Sequence, residues 1–129
     1  MKMNWGIDET STASSIGELD ELIDRLDVRA SSSGVPIMVE ILHKNGRLLA
    51  VGLGREESVV SFFEREMRPS YTSTVDPERD GTITFEYAGE PSEFWLGMAI
   101  PIAAAREAIR QFARDGDRPT NILWDKDWT

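Results

Sequence analysis

The sequence contains no cysteine and a single histidine, His43. Without thiols there are no disulfides, no thiolate nucleophile, no zinc ribbon and no iron–sulfur ligation. With one imidazole, multi-histidine metal sites are excluded, and Ser–His chemistry would rest on one residue. Nowhere do the roughly 18 consecutive apolar residues of a membrane span occur. No apolar stretch follows Lys2, so a secretory signal is not expected, and the chain reads as cytoplasmic. Basic side chains are few: 14 Lys+Arg stand against 23 Asp+Glu, a net charge of −9. That balance argues against nucleic acid as a direct ligand, because phosphate binding needs surface Lys and Arg. A basic protein partner is the more natural reading. What remains is a chain of 129 residues, 40% hydrophobic and 29% charged, the mixture and length of one globular domain over residues 1–129.

Periodicity supplies the elements. Trp5 and Ile7 suggest a short opening strand. Ser15 followed by Glu18 is a capping box, and Ile16, Leu19, Leu22, Ile23 and Leu26 then recur at helical spacing, predicting a helix to about Arg29. Residues 31–36 read as a loop. Ile37–Leu42 and Leu48–Leu53 read as strands around Asn45-Gly46, a pair suited to a primed hairpin turn with two positive φ values. Further strands are expected at Ser58–Phe63, Tyr71–Val75 and Thr82–Tyr87, where Ile83, Phe85 and Tyr87 share one face. Residues 88–93 read as a loop, Phe94–Ile100 as a further strand. Pro101 opens a second helix, with Ile102, Ala105, Ala108, Ile109 and Phe112 as its buried stripe and Arg106, Arg110 and Arg114 toward solvent. Gly116 ends it, and Thr120–Asp125 is extended. The expected fold is α+β: one domain, an antiparallel meander with two helices packed on it, since the connections are too short for parallel crossovers.

Catalytic signals are thin. Gly52-Leu-Gly54 lacks the third glycine and the following helix of a dinucleotide loop, and is expected to be a turn where side chains would clash. Glu40, Glu86 and Glu93 would support acid–base chemistry only if at least two of them met in a deep pocket. Asp76, Glu78 and Asp80 alternate as in a calcium loop, but the twelfth position is Ala88 where a glutamate is needed, so a plain turn is expected. His43 adjoins a hairpin turn and is expected in solvent. No catalytic residue, cofactor or metal is assigned.

Charge is the stronger signal. Residues 1–30 carry seven acidic and three basic side chains, residues 61–100 eight and three, while 31–60 and 101–129 balance. The acidity is therefore concentrated; it reads either as a solvated face that keeps the chain soluble or, more sharply, as a patch that steers a cationic partner. Four tryptophans are present. Trp124 reads as core, whereas Trp5, Trp95 and Trp128 lie in less periodic sequence, and Trp95 beside Glu90-Pro-Ser-Glu93 is the one that suggests a contact.

The order of segments resembles immunity protein family one of bacterial polymorphic toxin systems, common in actinobacteria and often encoded beside nucleic-acid deaminase toxins. The residues carrying the resemblance are Trp5, the helix Ser15-Ile-Gly-Glu-Leu-Asp-Glu-Leu-Ile-Asp-Arg-Leu26, Gly52-Leu-Gly54, Ser61-Phe62 and Asp80-Gly81. They continue with Gly89-Glu90 to Glu93-Phe94, Ile100-Pro-Ile102, Phe112, Gly116, Pro119 and Trp124. The resemblance implies a non-enzymatic antitoxin that blocks a cognate toxin, and it carries over no contact residues. From charge and position, the expected partner-binding residues are Glu90, Glu93 and Trp95, with Asp20, Glu21 and Asp24 behind them. The alternative is a regulatory or accessory protein-binding module unrelated to toxins.

Overall fold

Strands hold more of the described residues than the two helices do. The computed structural model describes residues 1–127; Trp128, considered above, lies outside them. The elements in order are β1 (Lys2–Trp5), β2 (Glu9–Thr12), α1 (Ile16–Ser33), β3 (Ile37–Leu42), β4 (Leu48–Leu53), β5 (Glu57–Ser58), β6 (Val60–Phe63), β7 (Ser70–Thr74), β8 (Thr82–Tyr87), β9 (Glu90–Trp95), β10 (Ile100–Pro101), α2 (Ile102–Asp115) and β11 (Leu123–Lys126). The main sheet runs β11-β7-β6-β4-β3-β1-β2, every neighbouring pair antiparallel. The α+β class is as patterning predicts. Within the sheet β3, β4, β6 and β7 run as a meander, and β1–β2 and β8–β9 are further consecutive antiparallel pairs. The chain enters with β1 beyond β3, and β8 meets β3 in parallel at Ile37↔Glu86.

Both helices cover one face of the sheet. Leu19, Ile23 and Leu26 of α1 and Ala105, Ile109 and Phe112 of α2 pack on Val39, Ile41, Leu49, Val51 and Phe62. A second apolar cluster forms on the opposite face, where Ile83 and Phe85 of the β8–β9 hairpin cover Met38, Ala50 and Val59. Gly52 permits that closure, since a Cβ there would sit 2.6 Å from the Phe85 ring. The Gly52–Gly54 segment is thus a close-packing device, not a phosphate loop. Residue 54 adopts φ +97°, and the Asp27 carboxylate accepts its N–H at 2.7 Å.

Local chemistry explains several departures from expectation. Glu18 returns its carboxylate to the N–H of Ser14, while Ser15 caps the Glu18 N–H. The helix runs past Arg29 to Ser33 because its stop is Gly34 in the left-handed region. The hairpin turn after β3 spans five residues, closed by the His43 N–H on the Arg47 carbonyl, and only Gly46 has positive φ. That is the pattern of a type I turn followed by a left-handed glycine. His43 is partly buried there, its Nδ1 accepting from the Asn45 N–H and its ring edge-on to Phe112. Ala88-Gly89 instead supplies two positive φ values in succession, at 51° and 86°. Residues 90–93, expected as a loop, are consequently the start of β9. The expected strand at 58–63 is broken at Val59, and Ile7 sits in a turn beyond β1, 78% exposed.

Candidate functional site

Strand direction sorts the turns into two sets. β3 begins where β4 ends (Ile37↔Leu53), β1 ends near the start of β3 (Trp5↔Val39), and β6 starts beside the end of β4 (Val51↔Val60). Turns 6–8, 54–56 and 75–81 therefore lie at one end of the sheet, and turns 43–47 and 64–69 at the other. The first set carries Asp8, Glu56, Asp76, Glu78 and Asp80 against Arg55 and Arg79. The second carries Lys44, Arg47, Arg65 and Arg68 against Glu64 and Glu66. The turns at the second end are thus net basic, and those at the first end net acidic.

The two arginines at that end are engaged inside it. Arg79 donates to both oxygens of Glu57, at 2.6 and 2.9 Å. That hydrogen-bonded guanidinium holds the Glu57 carboxyl below the usual carboxylate range, outweighing the opposing effect of partial burial. Arg55 lies over the Phe85 ring and donates to the Thr84 carbonyl at 3.0 and 3.1 Å. Among the described residues, Asp76, Glu78, Asp80, Glu90 and Glu93 form no salt bridge. Their charge is presented outward.

Trp95 organises the acidic turn. Its Nε1 donates to the Arg79 carbonyl at 3.2 Å, and the Leu96 N–H donates to the Gly81 carbonyl at 2.9 Å. The Val75 and Asp76 N–H groups both point at the Gly97 carbonyl. A side chain at Gly97 would strike the Asp76 carbonyl, so glycine lets the turn close on the strand end. The Asp76 carboxylate accepts the Glu78 N–H, as in an ordinary Asx turn. Even so anchored, Trp95 is 54% exposed, and Val75 beside the turn is 58% exposed. An indole and a valine thus stand among outward carboxylates.

Thr82 and Thr84, which face Trp95 and Glu93 across the β8–β9 ladder, also line a cleft of about 790 Å³. Its other walls come from α1, residues 54–57 and the start of α2, with Asp27, Arg55, Glu56 and Glu57 as the charged lining. Neither Glu40, Glu86 nor Glu93 lines it. Glu40 instead accepts from the Tyr87 hydroxyl at 2.7 Å, and burial together with that carboxylate raises the Tyr87 pKa well above its ordinary value. Among the described residues no three metal-ligating side chains gather closely enough to hold an ion. The arrangement offers carboxylates and exposed apolar area, which suits contact with a cationic surface.

The residues singled out from the sequence are divided by the fold. Glu93 and Trp95 alternate onto one face of β9 at the acidic end, while Glu90 falls on the reverse face beside the Ala88-Gly89 turn. Asp20 and Asp24 lie in the seam between the helices, bonded to Arg110 at 3.1 Å and Arg106 at 3.2 Å. These arginines were expected to face solvent; they lean across to α1 instead. Glu21 is exposed beside that seam. Asp27, Glu56, Asp76, Glu78 and Asp80 belong to the acidic end but were not among the expected partner-binding residues; Asp76, Glu78 and Asp80 were read as a plain turn, although the charge excess over 61–100 pointed toward them.

A model of the family described as immunity protein Imm1 matches residues 7–126. Comparison with curated proteins finds no match.

Proposed function

The chain belongs to the Imm1 family of immunity proteins, and from that premise we propose that it binds and neutralises a cognate polymorphic-toxin domain in the cytoplasm, performing no chemistry of its own. The toxin is of the nucleic-acid-targeting class, such as a deaminase, and is blocked at its active or substrate-binding surface. The observation that carries this reading is the gathering of unpaired carboxylates around Trp95 at one end of the sheet. A domain that acts on nucleic acid needs a cationic groove for the phosphate backbone. An acidic surface laid on that groove excludes the substrate, and the opposed charges speed encounter. Trp95 and Val75 supply the desolvated contact that charge alone lacks.

Coexpression with the toxin domain encoded beside this chain tests the reading. Growth is expected to be restored, with a copurifying complex that weakens as salt rises. Unchanged toxicity together with no complex overturns it.

A further inference from the structure

β9 is hydrogen-bonded to β8 on one side only, and its six residues form the longest open edge of the sheet among the described residues; β2 and β11, the other edges, have four each. The phase of the ladder decides which backbone groups face that edge. The Leu96 N–H bond to the Gly81 carbonyl makes Leu96 and Gly81 a hydrogen-bonded pair, and bonded and non-bonded pairs alternate from there. Trp95, Glu93 and Pro91 then occupy the non-bonded positions, with their backbone groups turned away from β8. Two bonds on the far side of β8 agree with this phase. The Glu86 N–H donates outward to the Pro36 carbonyl at 2.8 Å, and the Thr84 carbonyl accepts outward from Arg55. Pro91 falls where its missing N–H costs no ladder bond.

We propose that the toxin adds an extended, Lys- or Arg-bearing segment to this edge as a further strand, bonded to the N–H and C=O groups of Glu93 and Trp95. The proposal rests on the immunity reading above and names its binding mode. Charge selects the occupant. A second copy of β9 would bring Glu90 and Glu93 against the same carboxylates, which is unfavourable across strands, whereas a basic segment places opposite charges there. Main-chain bonds along such an edge supply affinity, and the alternating side chains Glu93 and Trp95 supply specificity.

Residue-resolved amide exchange tests this, on the protein alone and bound to a catalytically inactivated form of the toxin domain encoded beside it. The Glu93 and Trp95 amides are expected to exchange fast when free and about tenfold or more slowly when bound. Those of Ser92 and Phe94, bonded to β8, are slow in both states. Glu93→Pro removes one outward N–H without breaking the β8 ladder, and Glu93→Ala removes the same carboxylate side chain while keeping that N–H. Both are expected to fold, with Glu93→Pro weakening the complex about tenfold beyond Glu93→Ala, the scale of one lost hydrogen bond. The exchange measurement uses the unaltered chain and stands even if Glu93→Pro fails to fold. Unslowed Glu93 and Trp95 amides within an intact complex overturn the added strand and leave toxin binding standing. So does equal affinity of the two folded variants. Protection of these amides in the free protein that grows with its concentration also overturns it, by placing a second copy on the edge. If the unaltered chain forms no complex at all, the binding reading itself fails.

Discussion

Asp20 and Asp24 on α1 and Glu93 and Asp80 at the acidic end carry the same charge into different surroundings. The first two meet Arg110 and Arg106 within 3.2 Å across the helix seam, while the second two have no salt-bridge partner among the described residues. At the helix seam the charge is spent on holding two elements in register. At the acidic end the available guanidiniums are turned inward, Arg79 to Glu57 and Arg55 to the Thr84 carbonyl, so the remaining carboxylates stay open. Position in the fold, more than the count of acidic residues, decides which carboxylates stay without a salt bridge. The same chain shows a structural and a solvent-facing use of carboxylates side by side.

The most damaging way to break this contrast is to unseat the hairpin that carries β9. Phe85 is buried over Gly52 and forms the centre of the second apolar cluster. Phe85→Ala is expected to lower stability by about 3–5 kcal/mol through lost transfer energy and the cavity left behind, read by urea or thermal unfolding. A loss below about 1 kcal/mol would mean that the hairpin contributes little to the fold. Next in size is Trp95→Ala. Half-exposed and holding the acidic turn by one bond, Trp95 is expected to matter more for binding than for folding. Affinity for the toxin should fall by about 2 kcal/mol, roughly thirtyfold, measured by calorimetry, while unfolding shifts by about 1 kcal/mol. Equal affinity would remove Trp95 from the contact.

Much of this contrast was legible in advance, and the illegible part has a physical cause. Helical and alternating periods locate α1, α2, β3, β4 and β8 because one face of each must be buried. Pro91 and the flanking glutamates made residues 88–93 read as a loop. An edge strand tolerates proline at an outward-facing position, which only the ladder phase reveals. The double positive φ expected at Asn45-Gly46 occurs at Ala88-Gly89, where a non-glycine residue takes the left-handed conformation. Acidic excess over residues 61–100 is visible in a count, but its gathering with Glu56 and Asp27 depends on strand order. The seam is similarly hidden, since Asp20 and Arg110 are 90 positions apart.

A smaller effect separates the two regions by pH. The Glu57 carboxyl is held below its ordinary value of 4.5, first by the hydrogen bond from Arg79. Its folded pKa lies below the unfolded one, so the pair stabilises the fold above the unfolded value and loses that contribution as pH falls through the folded value. Wild type is therefore expected to melt above Glu57→Gln at neutral pH, with the gap narrowing once pH drops below about 4. A gap that stays constant into acid would show that the charge on Glu57 is not what clamps the turn.

The least effect is expected from the seam itself, and there its smallness is informative. Both members of the Asp20–Arg110 pair are more than one-third exposed, at 37% and 39%, so water screens most of their attraction. Arg110 also keeps Glu107, one turn away at 3.4 Å, as a second partner. Asp20→Asn should accordingly cost about 0.5 kcal/mol or less by thermal unfolding, and Asp24→Asn about the same. Neither should change affinity for the toxin beyond about twofold, because a neutralised pair adds little field at the distant acidic end. If Asp20→Asn instead weakened the complex as strongly as Trp95→Ala, the helix seam would have to belong to the interface. Paired and unpaired carboxylates would then no longer mark separate roles.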